Sequence, residues 1–230
     1  MKATPHFPFF AVCVLFGLSV VLAGGIANVK AEDLAPLVLK LPAAKDAGTP
    51  KTIPAGSTVD PSPKLQPPLL IPKDAVNVAP GKRITCSNRS VTTGDLAKLA
   101  DGDKEAEESS ILLLHKGLQW VQFDLGAPHE TYAIVVWHAF DTAKIYHSVI
   151  VQVADDADFT DNVRTLFNND RENGAGFGIG ADRQYFETNQ GKVIDAKGVR
   201  ARFVRLYSNG NSDSKMNEYT EIEIYARPIK

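Results

Sequence analysis

The chain reads as an all-β protein built on antiparallel strands. Three observations predict this: short apolar runs recur along the second part of the sequence, several alternate with period two, and Gly, Asn, Asp and Pro clusters separate them. The strand candidates are 83–87, 120–125, 132–138, 148–154, 163–167, 201–208 and 221–226. In 148–154, Val149, Val151 and Val153 share one face, and in 221–225 Ile222 and Ile224 point away from Glu221, Glu223 and Tyr225. That is how strands with one core face and one wet face look. The run Tyr132 to Trp137 is apolar at every position, which predicts a strand in mid-sheet whose second face is covered by loops. Helical periodicity is confined to a turn or two near 94–99. Many short strands without intervening helices point to a sandwich or a barrel rather than to a βαβ fold.

The N-terminal third has a different character. Lys2, the apolar run from Phe7 to Leu22 and a small-residue zone ending at Val29-Lys30-Ala31 have the order of a secretory signal peptide, with cleavage expected after Ala31. The rival reading is an uncleaved anchor, which for a domain that does not itself bind lipid would be the one expected contact with a membrane. Residues 32–74 hold nine prolines, at 36, 42, 50, 54, 61, 63, 67, 68 and 72, and no aromatic residue. Such a segment is expected to be a disordered, extended linker, because it offers too little apolar surface to offset the loss of chain entropy. The stretch PSPKLQPP from Pro61 to Pro68 reads as a spacer more than as a proline-rich ligand. These limits leave one β domain over residues 75–228.

A formal charge of -2 over 230 residues gives no nucleic-acid-binding field. Cys13 would leave with the signal peptide, so Cys86 remains alone and no internal disulfide can form. Its neighbours Ile84 and Thr85 read as strand, and a free Cys there behaves as a small buried hydrophobe. Asn88-Arg89-Ser90 matches a glycosylation acceptor.

AVNVAPGKRITCSNRSVTTGDLAKLADGD, from Ala75 to Asp103, is followed by QWVQFDLG at 119–126, IYHSVIVQVADDADF at 145–159, ARFVRLYSNGN at 201–211 and YTEIEIYA at 219–226. In this order and spacing the motifs resemble a discoidin domain, also called the coagulation factor V/VIII type C or galactose-binding-like domain. The resemblance covers roughly residues 75 to 228. It implies an antiparallel jelly-roll β-sandwich that binds glycans or membrane surfaces and performs no chemistry. The missing disulfide departs from animal members, which commonly clasp their termini with one.

The resemblance also implies a structural calcium ion where the DGD turn meets the last strand. Carried over by residue, its ligands would be the side chain of Asp101, the carbonyl of Asp103 and the carboxylate of Glu221. Calcium takes six to eight oxygens, which a tight turn plus a distant carboxylate can supply. After the turn the chain departs from the pattern: where relatives place a ligating Thr, this one reads Lys104-Glu-Ala-Glu-Glu-Ser-Ser110, leaving Ser109 or Ser110 as substitutes. The plain alternative is a solvated Asp-Gly turn.

Ligand binding in this fold belongs to loops at one end of the sandwich, where a ring stacks on the apolar face of a pyranose and Arg, Asn or His pairs with hydroxyls. Candidates near the strand ends are His138, Phe140, Arg171, Asn209 and Asn211; Trp120, Trp137, Phe203 and Tyr207 read as core. The glycine-rich loop 168–182 lacks the spacing of a phosphate-binding loop and reads as a mobile recognition loop. Catalysis finds no support: GxSxG and HExxH are absent, and the histidines at 6, 115, 129, 138 and 147 lack metal-ligand spacing. The expected function is a secreted or envelope-exposed carbohydrate-binding module involved in cell adhesion. The rivals are a self-associating structural protein and a peripheral membrane binder with Phe177 and Ile179 at its tip. The oligomeric state is not readable.

Overall fold

The computed structural model describes residues 33–45, 59 and 68–229. The expected signal peptide and the middle of the Pro-rich segment, 46–58 and 60–67, lie outside them. Among these residues ten strands form: β1 Leu34–Pro36, β2 Leu70–Pro72, β3 Val76–Asn77, β4 Arg83–Cys86, β5 Leu112–Leu114, β6 Gln119–His138, β7 Ile150–Ala154, β8 Arg164–Asn168, β9 Lys192–Ser208 and β10 Asn217–Pro228. A 3-10 helix, Leu96–Ala100, is the only helical element of that length among the described residues, and Asp95 caps it by accepting from Ala97 N–H.

All pairings are antiparallel, and the long partners β6 and β9 make the sandwich from one continuous ladder. Their register breaks between Asp124 and His129, beside Gly126 at φ 85°, and again between Thr131 and Ala133. On one side of the first break the order is β4-β6-β9-β7-β8; on the other, β9 and β6 continue to β10, whose far edge carries β3 and β5. The ladder thus bends into two facing layers. Val121, Phe123, Leu125, Val151, Val153, Val204 and Leu206 from one layer meet Ile134, Val136, Ile194, Ile222 and Ile224 from the other in a single core. The all-β antiparallel jelly-roll sandwich is therefore present, and the faces assigned to Val149–Val153 and to Ile222 and Ile224 are the ones observed.

The second layer also buries its outer face. Ala133, Val135 and Trp137 are fully buried there, covered by Leu37, Leu39, Leu69 and Ile71. These belong to the segment expected to be a linker, so the boundary at residue 75 is corrected: residues 33–45 and 68–74 form a strap on the sheet. β1 pairs β2, Leu37 N–H donates to the Leu69 carbonyl at 2.7 Å, and Asn189 Nδ2 donates to the Pro42 carbonyl at 3.0 Å. Prolines suit a strap of this kind, because a two-stranded ribbon leaves half of its N–H groups outside any ladder. The strap is the covering that the apolar run of β6 requires.

Trp137 is fixed from its other edge by Gly191. At φ +66°, a Cβ there would lie 2.6 Å from the indole ring, whose N–H donates to the Asn189 carbonyl at 3.0 Å. Gly191→Ala should cost about 3 kcal/mol through backbone strain and overpacking together, measured as a lowered midpoint in urea unfolding.

Candidate functional site

Five loops meet at one end of the sandwich, and buried polar side chains pin them there. Asn217, with no exposure, makes four bonds: Oδ1 accepts from Ser208 Oγ at 2.7 Å and Gly210 N–H at 2.8 Å, and Nδ2 donates to the carbonyls of His115 at 2.7 Å and Gly117 at 2.9 Å. Gln119 accepts from Asn88 Nδ2 at 2.7 Å, which fixes the 87–90 loop and engages the amide of the glycosylation sequon. Asn169 accepts from Val149 N–H at 2.7 Å, and Ser148 Oγ donates to Asp170.

The loop 168–182, expected to be mobile, is braced by hydrogen bonds of its own. Asp182 accepts from Asn168 N–H at 2.7 Å, Asp170 Oδ2 from Ala175 N–H at 2.7 Å, and the Asp170 carbonyl from Gly180 N–H at 2.8 Å. A Cβ on Gly180 would fall 2.4 Å from the Asn168 carbonyl, so the closure requires glycine. The sequence shows the residue types but not that Asn168, Asn169 and Asp170 turn inward.

Of the five sugar-contact candidates, only two face solvent. His138 is fully buried, with Nδ1 2.8 Å from Glu187 Oε2 and its ring between Tyr146 at 4.2 Å and Tyr219 at 4.6 Å. Burial raises the Glu187 carboxyl above its usual range, against the lowering effect of His138. Phe140 packs with Val135, Trp137 and Ala106. Both are corrected from ligand contacts to core, because the strand they extend is covered on both faces. Asn211 is buried and spends its carbonyl on Asp213 and Ser214 N–H, closing a turn. Arg171 is exposed, with Nη1 donating to the Gly180 carbonyl at 3.2 Å, and half-buried Asn209 lies beside His147, whose carbonyl accepts its N–H at 2.8 Å.

Residues that the motifs did not single out for sugar contact complete this end. Phe177 is 42% exposed on the braced loop and leans on Tyr207 with ring centroids 4.8 Å apart. Tyr207 stands opposite Trp120 in the ladder. Arg205, two residues along, lies between Trp120 at 4.4 Å and Phe159 at 4.0 Å, bonds Gln122 at 2.7 Å and donates to the Tyr207 hydroxyl at 3.2 Å. Half-buried His147 has its pKa lowered by burial, with Glu172 acting in the opposite sense. The exposed ring at this end is Phe177, resting on buried Tyr207, with Arg171 on the same loop and His147 and Asn209 on two others; Arg205 and Phe159 lie further down the outer face, toward the 155–161 loop at the opposite end of β7. The period-two pattern hides this, because Trp120 and Tyr207 lie on the face opposite the core.

The acidic turn meets the last strand as the resemblance implies. Gly102 N–H donates to Glu221 Oε2 at 3.2 Å. Asp101 and Asp103 each give a side-chain oxygen to a local backbone N–H, of Asp103 at 2.9 Å and of Glu105 at 3.1 Å, and no group of three metal-binding side chains occurs among the described residues. Glu221 is 1% exposed, and burial pushes its carboxyl up to about 8, against the lowering effects of Gly102 N–H and of the Lys104 charge. Ser110 is used locally, between Glu107 N–H and the Glu107 carbonyl, each at 3.0 Å. A buried ammonium, Lys104, stands in this neighbourhood, and its charge opposes a divalent ion there.

No family model matches the sequence, and no curated protein does. Structural neighbours include a fucose-binding module from Streptococcus pneumoniae, 16% identical, covering 67% of this chain and 99% of its own with a TM-score of 0.45. Another is a chitosan-binding module from a Paenibacillus chitosanase/glucanase, 19% identical, covering 65% of this chain and 98% of its own at 0.45. A family 89 glycoside hydrolase from Clostridium perfringens is 18% identical over 66% of this chain, at 0.49, and this chain spans only 15% of its length.

Proposed function

We propose that this domain is a non-catalytic carbohydrate-binding module, secreted or held at the cell envelope, that takes a cell-surface or matrix glycan at the loop end. The observation that carries the reading is Phe177: a ring 42% exposed, on a loop braced by buried Asp170 and Asn168 that also carries Arg171. A rigid ring accepts the C–H face of a pyranose at little entropic cost, and the neighbouring amide, imidazole and guanidinium orient its hydroxyls. Side chains that are already ordered before binding suit selective recognition of a weakly apolar ligand.

A glycan microarray probed with the full chain, followed by calorimetric titration of a hit, tests the reading. Phe177→Ala should weaken binding about tenfold, roughly 1.4 kcal/mol, while the melting temperature falls by no more than a few degrees, because the residue keeps 42% of its surface in water. A folded protein that binds no glycan on the array overturns it, as does a hit for which Phe177→Ala binds as the parent does. The exposure of Ile179, at 75%, favours a second reading in which Phe177 and Ile179 enter a lipid surface. Sedimentation with phosphatidylcholine/phosphatidylserine vesicles that Phe177→Ala abolishes would select it.

A further inference from the structure

Lys104 follows the acidic turn directly and is 5% exposed. Its Nζ lies 2.7 Å from Glu223 Oε1 and 3.2 Å from the Lys40 carbonyl, and it stands 4.8 Å over the Trp137 ring. Glu223 is itself 7% exposed and accepts from the Tyr225 hydroxyl at 2.9 Å. Glu221 lies two residues away on the same face of β10, opposite Trp137 in the ladder, and feels the charge of Lys104. A buried ammonium is tolerated only when paired and hydrogen-bonded, and here a carboxylate, a carbonyl and a ring face meet those needs. A divalent cation brought to Glu221 would meet this fixed positive charge in a low-dielectric setting, where repulsion is strong.

We propose that Lys104 is the domain's built-in cation: its ammonium does structurally what a bound ion would do, neutralising the Glu223 carboxylate of the last strand while tying the strap to it through Lys40. The departure of the sequence after the DGD turn then has a physical meaning. A chain that places a lysine where a ligating hydroxyl is expected supplies its own counter-charge, and its stability does not depend on calcium. The strap gains a polar anchor in the middle of its apolar contact.

Thermal melts of the full chain test this. The melting temperature should be the same in excess EDTA and in excess calcium chloride. Lys104→Met, which keeps an unbranched side chain but removes the charge, should lower it by roughly 5 °C or more, since breaking a buried pair leaves Glu223 uncompensated. Adding Glu223→Gln to that variant should recover part of the loss, a coupling that a packing defect alone does not produce. A lower melting temperature in EDTA, or a higher one in calcium, overturns the proposal. So does a Lys104→Met protein that melts with the parent, or a double variant with no recovery. If Lys104→Met fails to fold, the parent's response to EDTA and calcium still decides.

Discussion

A chain that starts at Ala75 loses about 5 kcal/mol or more of its stability, because the strap contributes three partly buried leucines and Ile71 to the outer face of the second layer, and a buried aliphatic side chain is worth ~1.5–3 kcal/mol. That is a large share of the ~5–15 kcal/mol by which a domain is stable. The loss compounds: Trp137 and Val135, now fully buried, become an exposed apolar patch, and Lys104 loses the Lys40 carbonyl. The truncated protein should bind ANS, aggregate on concentration and melt well below the full chain. A version of 75–230 that is monomeric and melts within a few degrees of the parent would show that the strap merely rests on the sheet.

Asn217→Ala has the second large effect. The side chain is unexposed and holds four partners from two separate segments, so its removal orphans two carbonyls, a hydroxyl and an N–H in one place. With a cost of ~1–3 kcal/mol for each unsatisfied buried group, partly relieved by entering water, the expected loss is about 4 kcal/mol. It should act on binding as well, because the 115–118 and 209–216 loops lose their common pin. Equilibrium unfolding in urea gives the stability change, and amide exchange at Gly210 and neighbouring residues shows whether the loops open first. A loss below about 1 kcal/mol would mean that the loops hold their places by other contacts.

Alternating strands were legible because their pattern follows directly from burial on one face. Ile222, Ile224 and Val151 sit where period two puts them. The first half of β9, Lys192 to Arg200, was not legible, since its charged residues alternate with small apolar ones and its turn at Lys197 and Gly198 interrupts the run. The strap was missed for a different reason. Absence of aromatics and frequent proline signal a lack of apolar surface, yet Leu37, Leu39, Leu69 and Ile71 suffice once a finished sheet face awaits them. The site was legible only as a region. Sequence adjacency drew attention to His138 and Phe140 at the end of a strand, but a strand covered on both faces turns such residues inward. Phe177 and Tyr207 lie thirty positions apart, and their contact depends on how Asn168 and Asp170 fold the intervening loop. Long-range pairing of that kind leaves no periodic trace in a single chain.

The most direct measurement is a map of amide chemical shifts by solution NMR as a glycan identified on the array is titrated into the full chain. Shifts should concentrate at His147, at Arg171 to Ile179 and at Asn209, with the 155–161 loop unmoved. Perturbations gathered at the Asp155–Asp161 loop or along the strap would place the ligand elsewhere and contradict the assignment of the loop end as the binding surface.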